Sequence, residues 1–311
     1  MFLRTLYILA ASFLLVLPAS YPACAVDNLI AAVMSSDQPR YREAHNAFLR
    51  SMAARGYNAT KMKVILQTPN PDHFSLHNAF RKVVAYQPSL IIAYGTSAAE
   101  AAAEQSKKMP VVSVDIYSSE EPVAGVFGVS SRVPIKKLLK ASQQIGSFRR
   151  IGVVYNSQEI GSKRQLDDIR KNAAQQGMRV TGANVNTSAG LDYQLAALMK
   201  KVDLIFVTES SVVCRDFERI VTLARGNGIP VISTMPDAAQ RGALASLEIS
   251  PQEQGNVAAD MAVRILEGAT VGHLPLLPPN RVELHINLRV AKELELVVPL
   301  QTLSEANNII H

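Results

Sequence analysis

Segments typical of buried β-strands alternate with segments typical of helices along most of this 311-residue chain. In the first half, strand-like apolar runs are predicted at residues 29–34, 62–66, 90–94, 111–116 and 126–129. Helical spacings separate the first three runs, and an alanine-rich segment follows the third. Strands that alternate with helices require a parallel sheet covered by helices on both faces. The alternation therefore predicts an α/β fold.

The same alternation starts again after a helix predicted at 135–145. The second set of strands is predicted at residues 150–155, 179–185, 202–207, 230–233 and 242–247, with helices at 162–176, 193–199 and 213–224. The two halves match as architecture and not residue by residue. We therefore predict two Rossmann-like lobes with parallel sheets, and we place the change of lobe at 130–133.

The C-terminal part is too small for a third lobe. It contains a predicted helix at 255–266, an alternating strand at 282–287 and a short helix at 291–296. We therefore predict that these elements belong to the two existing lobes. The chain then crosses between the lobes three times, near Ser130, Ser250 and Asn287, and these crossovers form a hinge. We assign residues 26–131 plus 251–282 to the first lobe, and residues 132–250 plus 283–311 to the second.

The N-terminus has the pattern of a secretory signal peptide. A short basic start precedes an apolar run at 6–17, which two prolines end, and small residues follow at 23–25. We expect cleavage after Ala25, so that residues 1–25 are removed and the mature protein is periplasmic. The alternative is a lipid-modified Cys24, which Tyr21 disfavours because lipoprotein signals place an aliphatic residue there.

Composition and motifs exclude several functions. Basic residues are scattered despite a net charge of +6, so we expect no nucleic-acid partner. Without Cys24 only Cys214 remains, so no internal disulfide is possible, and we expect Cys214 to be a buried small hydrophobe. His73 and His77 have metal-binding spacing, but no acidic partner accompanies them in the sequence, so we predict no metal site. No nucleophile elbow, Walker loop or dinucleotide motif occurs, so we predict neither an enzyme nor a cofactor.

The turn after the third predicted strand is a candidate anion site. The strand stops at Gly95, Thr96 and Ser97 follow, and Ser97 and Glu100 have the spacing of a capping box. A helix N-terminus offers unpaired N–H groups and a positive dipole end. We predict that Thr96 and Ser97 hold the acidic end of a small ligand, while the alternative is an ordinary capped turn.

An ordered set of segments resembles the tryptophan/phenylalanine-type ABC transporter substrate-binding proteins, which have the type I periplasmic binding protein fold. The resemblance covers essentially the whole mature chain. It is carried by residues 90–96, 242–246, 254–255, 265–268, 286–288, 291–292 and 298–299.

The resemblance implies a ligand in the cleft between the lobes, where the strands have their carboxyl ends. Position by position, it adds turns after strands of both lobes to the candidate site. The predicted ligand-binding residues are Gly95, Thr96, Ser97, Asp115, Tyr117, Asn156, Glu209, Ser210 and Asp237. Glu209–Ser210 stands where the family often has Asp-Asn, a departure that bears on ligand preference.

A small zwitterion such as an amino acid suits these residues. Its carboxylate would lie at Thr96 and Ser97, and its ammonium would pair with Asp115, Glu209 or Asp237, because buried charges require partners. Tyr117, like Tyr94, could stack on an aromatic ligand or serve only packing, and each acid could instead be a solvated loop residue. We expect a monomer that delivers its ligand to an inner-membrane ABC permease, or alternatively a receptor that signals to a membrane sensor.

Overall fold

The computed structural model describes residues 28–106, 109–118, 127–269 and 275–311. The predicted signal peptide, with Cys24 and the expected cleavage site, lies outside these residues. Within the described ranges, no helix is both long enough and apolar enough to cross a membrane.

Thirteen strands are described, and they form two sheets. They are β1 (Asn28–Met34), β2 (Met62–Gln67), β3 (Leu90–Tyr94), β4 (Val111–Ile116), β5 (Phe127–Ser130), β6 (Arg150–Tyr155), β7 (Arg179–Asn184), β8 (Leu204–Val207), β9 (Val231–Ser233), β10 (Ala245–Glu248), β11 (Leu276–Leu277), β12 (Glu283–Asn287) and β13 (Asn308–Ile310). The first sheet has the order β11-β5-β4-β3-β1-β2, and the second has the order β13-β12-β10-β9-β8-β6-β7.

Helices connect the strands and cover the sheets. They are α1 (Pro39–Ala54), α2 (His73–Ala85), α3 (Thr96–Gln105), α4 (Ile135–Ile145), α5 (Ile160–Gln175), α6 (Leu191–Met199), α7 (Ser211–Arg215), α8 (Phe217–Gly226), α9 (Pro251–Leu266), α10 (Leu288–Glu293) and α11 (Leu300–Glu305), with a 3₁₀ turn at Ser188–Gly190. The predicted α/β fold with two mostly parallel sheets is confirmed.

Each sheet is buried on both faces, as expected for parallel strands between helix layers. In β1, Ile30 and Met34 join a core with α1 and α9, whereas Ala31 and Val33 point into a core with α2 and α3. The second sheet likewise separates two apolar cores. These packed sheets hold the loops at their strand ends in fixed positions.

The chain passes between the sheets three times: after β5, after β10 and after β11. The second passage leads into α9, which packs along α1 of the first sheet. The third lies between Leu277 and Glu283, so the expected crossover near Asn287 is wrong. Asn287 ends β12 inside the second sheet, where its Nδ2 donates to the Ala239 carbonyl at 2.7 Å.

Three further local features differ from the sequence predictions. The helix expected at 213–224 is two helices, α7 and α8, divided at Asp216. Strand β12 runs antiparallel to β10, because the chain enters the second sheet from the other lobe. The short elements β11, α11 and β13 were not predicted, since two- to six-residue elements are too short to show a period.

Candidate functional site

Two of the spaces between the lobes share Arg40 in their walls. The larger, which we call the outer cavity, has a volume of about 550 Å³. Its walls come from the loops after β1 and β2 on one side and after β8 and β9 on the other. The smaller, the inner pocket, has a volume of about 20 Å³. Both lie at strand ends, where open α/β sheets bind ligands.

Five of the predicted site residues line the inner pocket together. They are Thr96, Ser97, Asp115, Tyr117 and Glu209. They come from both lobes: Thr96 and Ser97 follow β3, Asp115 and Tyr117 lie at the end of β4, and Glu209 follows β8. The pocket thus lies where the sequence places strand ends on both sides of the cleft.

Arg40, in the first turn of α1, joins the two lobes and lines both spaces. Only 9% of its side chain is exposed. Its Nε lies 3.2 Å from Asp115 Oδ2, an ion pair without hydrogen-bond alignment, and its Nη1 makes an ion pair with Glu209 Oε2. Its Nη2 donates to Tyr41 Oη at 3.0 Å. A lobe-one cation is therefore held between one acid from each lobe.

Glu209 is positioned by its own lobe. Its backbone N–H donates to Gln165 Oε1 at 2.8 Å, and its Oε1 accepts from Thr234 Oγ1 at 2.6 Å. Burial raises the pKa of Glu209, Arg40 opposes that rise, and the negative charge of Asp115 adds to it. The raised pKa indicates that the nearby positive charge does not fully compensate this carboxylate.

The charges around Arg40 are unequal. Burial works to lower the pKa of Arg40, but Asp115, Tyr41 and Glu209 raise it well above its usual value, so the guanidinium stays charged. One cation faces two carboxylates here, and a third carboxylate, Glu159, also lines the inner pocket. Because buried charges need partners, this site favours an additional cationic group.

Asp115 has an unusual backbone conformation. Its φ is 59°, in the left-handed region that residues with a side chain rarely adopt. Its N–H donates to Gln254 Oε1 at 3.1 Å, and Gln254 Nε2 donates to the Ser130 carbonyl at 2.9 Å. Gln254 thereby connects α9 to the strand ends that border the pocket and holds the backbone of Asp115, whose carboxylate lies beside Arg40.

The turn at Gly95 is built differently from the prediction. Helix α3 begins at Thr96 with Gly95 as its N-cap, so the capping box of Ser97 and Glu100 is wrong. Instead, Ser35 Oγ from the end of β1 accepts the Ala98 N–H at 3.0 Å, and Glu100 pairs with Arg164 of α5. Gly95 has a φ of 90°, and a Cβ there would collide with Ser35 and Tyr41.

Contacts near Thr96 hold the lobes together. Thr96 Oγ1 accepts the Tyr117 N–H at 2.9 Å, and Tyr117 Oη donates to Asp168 Oδ2 of the second lobe at 2.9 Å. A Cβ added to Gly161 of α5 would lie 2.9 Å from Thr96 Oγ1. The lobes are thus closed on each other around the inner pocket. Tyr94, the other predicted stacking residue, is buried in the core, where its hydroxyl bonds to His45.

The remaining predicted residues lie outside the inner pocket. Asn156 and Ser210 do not line it: Asn156 Nδ2 and Ser210 Oγ both donate to Glu159 Oε1, at 2.9 and 2.8 Å, and so orient a carboxylate that does. Asp237 lines the outer cavity from the loop after β9, where it is exposed. The predicted set therefore combines residues that line the inner pocket, two residues that orient Glu159, and one residue that lines the outer cavity.

The sequence reasoning missed Arg40 and Glu159. Arg40 follows Pro39, which marks a helix start, and nothing local distinguishes it from other helical arginines. Ligands bind at the carboxyl ends of parallel strands, and this rule selected the turn after β3. Applied to the turn after β1, the same rule could have found Arg40. Glu159 precedes α5 and bonds to the N–H of Ser211 at the start of α7, a contact between distant segments.

Cys214 also differs from the prediction. It is half-buried and lines the outer cavity instead of lying fully in the core. Burial raises the pKa of Cys214 to about 12. A thiol of that kind is protonated at neutral pH and is therefore poorly nucleophilic.

Comparison with known proteins identifies the class to which this two-lobed fold and cleft belong. The family model for ABC transporter substrate binding proteins matches residues 30–310. This chain therefore belongs to that family of solute-binding proteins.

Individual relatives agree with this assignment. A tyrosine-binding protein from Clostridioides difficile (strain R20291) is 26% identical over 271 residues, which cover 84% of this chain and 79% of that protein. An ABC domain in complex with L-Trp from Streptococcus pneumonia superposes with a TM-score of 0.84 at 22% identity, covering 91% of this chain and 100% of that one. A ligand-free, open substrate-binding protein from Clostridium difficile gives 0.67 at 23% identity, covering 91% and 99%. The fold is that of type I periplasmic binding proteins.

Proposed function

We propose that this protein captures an amino acid between its lobes and delivers it to an ABC permease in the inner membrane. The observation that carries the proposal is the buried group of Arg40, Asp115 and Glu209: all three line the inner pocket, and Arg40 also lines the outer cavity. One cation with two carboxylates is complementary to a ligand that carries both charges. A neutral sugar offers no charge that is complementary to them.

The size of the inner pocket supports the ammonium as its occupant. A water molecule needs roughly 10–15 Å³ of such space, and the pocket offers about 20 Å³. An ammonium group is about as large as water, whereas a carboxylate is larger. The proposal therefore revises the expected orientation: the ammonium lies near Asp115, Glu209, Thr96 and Ser97, and the carboxylate meets Arg40 from the outer cavity.

The outer cavity suits the side chain of the ligand. Its volume of about 550 Å³ exceeds what a small amino acid would fill. Pro39, Pro71, Met235 and Pro236 give it apolar surface among the charged residues. The tyrosine and L-Trp named for two similar proteins are amino acids with large side chains, and they support a ligand of that size.

The proposal includes movement of the two lobes. We assign residues 26–131 plus 251–282 to one lobe and 132–250 plus 283–311 to the other, joined by the three passages described above. The higher TM-score to the L-Trp complex than to the open protein agrees with a closed arrangement. Closure around a ligand is the usual motion of such proteins, and small-angle scattering should show a smaller radius of gyration with ligand. An unchanged profile at saturation would argue against closure.

The proposal also places the protein in the periplasm after removal of residues 1–25. Mass spectrometry of the exported protein should give a mass that starts at Val26 without lipid. A diacylglycerol-modified Cys24 would show instead that the protein is anchored to the membrane.

The ligand is tested with a matched set of compounds. Calorimetry should show binding of L-tyrosine, L-tryptophan or L-phenylalanine, because these carry both charges and a large side chain. The deaminated and decarboxylated analogues of the ligand that binds should bind at least tenfold more weakly, since each loses a hydrogen-bonded charge worth roughly 1.5–3 kcal/mol. Equal affinity for the deaminated analogue, or binding of sugars alone, would refute the amino-acid assignment.

A further inference from the structure

A cluster of metal-ligating side chains lies away from the cleft, on the surface formed by α2 and α3. His73 and His77 come from α2, and Glu104 comes from α3. One ligand atom from each residue lies within 4.8 Å of the other two. The sequence shows the two histidines one helical turn apart, but only the packing of α3 on α2 supplies the acidic partner.

One of the three separations between ligand atoms matches the dimensions of a tetrahedral site. His77 Nε2 lies 3.4 Å from Glu104 Oε2. Metal–ligand bonds of about 2.0–2.1 Å at tetrahedral angles place neighbouring ligand atoms about 3.3–3.4 Å apart. The rings of His73 and His77 have their centroids 3.9 Å apart and an interplanar angle of 31°, so both can present a nitrogen to one point. The other separations lie within 4.8 Å, and side-chain rotation would have to shorten them for an ion to bind.

Gln105 contacts the other ring nitrogen of His77. Its side-chain amide lies 3.1 Å from His77 Nδ1. The atom that faces His77 is Gln105 Nε2. Rotating the amide by 180° would place its oxygen there to accept the Nδ1–H, which would leave the lone pair of His77 Nε2 free for a metal ion. Ligating histidines commonly have their second nitrogen fixed in this way.

We propose that His73, His77 and Glu104 form a binding site for one Zn²⁺ ion. Two imidazoles and one carboxylate are a ligand set that zinc prefers over calcium or magnesium. The fourth position is left to water, because His73 and Glu104 are exposed to solvent. The ion would link α2 to α3 and stabilise the first lobe. This inference is independent of the ligand proposed for the cleft.

The test uses the purified, tag-free protein after treatment with a chelator. Calorimetry with zinc chloride should give one bound ion per chain, and addition of zinc should raise the melting temperature. Cobalt(II) should give the intense visible absorption of a tetrahedral complex. His73→Ala, which changes an exposed side chain and leaves the fold intact, should weaken zinc binding at least tenfold. Glu104→Gln should also weaken it and should reduce the cobalt absorption.

The controls distinguish this site from other zinc binding. His311→Ala removes a histidine at the exposed C-terminus and should leave affinity and absorption unchanged. Gln105→Ala should weaken binding by about tenfold if Gln105 orients His77. No bound zinc, or zinc binding that His73→Ala and Glu104→Gln leave intact, would refute the proposal. So would binding that disappears in Cys214→Ala.

Discussion

The inner pocket and the outer cavity share Arg40 but differ in almost every other property. The inner pocket is small, is bordered by three carboxylates, and is enclosed by contacts between the lobes. The outer cavity is more than an order of magnitude larger and combines prolines and Met235 with charged residues. One space is built to recognise a single charged group, whereas the other can hold side chains of several sizes.

This difference suggests a division of roles within one binding site. Side chains in the inner pocket are fixed by hydrogen bonds, as Glu209 is by Gln165 and Thr234. Fixed, desolvated charges contribute strongly to binding because no solvent screens them. Exposed charges in the outer cavity are screened and should contribute little. Substitutions in the two spaces should therefore differ in magnitude.

The largest expected effect comes from Arg40→Met, which retains a long side chain but removes the charge. It leaves Asp115 and Glu209 without their shared partner and removes the proposed contact to the ligand carboxylate. Loss of one or more charged hydrogen bonds predicts about hundredfold weaker binding by calorimetry. Arg42→Met changes the net charge equally, but Arg42 pairs with exposed Asp37, so affinity should stay near wild type. Similar effects of both variants would show that total charge matters and not the position of Arg40.

Glu209→Gln should have the next largest effect. The amide cannot neutralise an ammonium, so binding of an amino acid should weaken about tenfold or more. The deaminated analogue should lose less, because it has no ammonium to pair. Equal losses for both compounds would place the ammonium elsewhere, and Asp115 would then be the next residue to test.

The raised pKa of Glu209 predicts how affinity depends on pH. Burial raises this pKa above the usual value of 4.5, so the carboxylate gains a proton at a higher pH than a free glutamate does. Affinity for an ammonium should fall as the pH falls through that pKa, and Glu209→Gln should remove this dependence. The stability of the ligand-free protein depends on pH in the opposite direction. Protonated Glu209 contributes to the stability of the folded state, and this contribution is lost as the pH rises through the same pKa. Calorimetry and thermal unfolding over a pH series measure both.

The sequence was sufficient for the overall architecture because periodicity and strand-helix alternation are local properties. β3 is a run of apolar residues that is buried throughout, as parallel strands require. It was insufficient for the antiparallel placement of β12, because that depends on where the chain re-enters the second sheet. The sequence predicted where each helix and strand lies along the chain. It did not predict which strands pair after the chain has passed to the other lobe.

The site was partly predictable for the same reason. Thr96 and Glu209 follow strands, so the strand-end rule placed both in the cleft. The predicted capping of α3 was wrong because Ser35, in the turn after β1, supplies the acceptor that Ser97 was expected to supply. Arg40 was missed because its role depends on an ion pair with a residue 169 positions away. Contacts across the closed cleft leave no signal in the local sequence.

A smaller effect is expected where the lobes touch. Gly161→Ala places a Cβ 2.9 Å from Thr96 Oγ1, which should hinder closure. Overpacking of this kind costs about 1 kcal/mol at its mild end, which corresponds to about fivefold weaker binding. Gly226→Ala is the control, because a Cβ there would meet nothing within 4 Å. Unchanged affinity in Gly161→Ala would mean that the bound state does not bring these residues together.

The smallest expected effect belongs to Asp237 in the outer cavity. Asp237→Asn removes the charge but keeps a residue that tolerates the left-handed φ of 59° found there. The backbone N–H, which donates to Glu248 Oε2 at 2.8 Å, is unaffected. Because the side chain is exposed and its charge is screened, binding of amino acids with neutral side chains should change less than about threefold. A tenfold loss in calorimetry would mean that Asp237, and not the inner pocket, pairs with the ammonium, and that the ligand lies in the outer cavity in the reverse orientation.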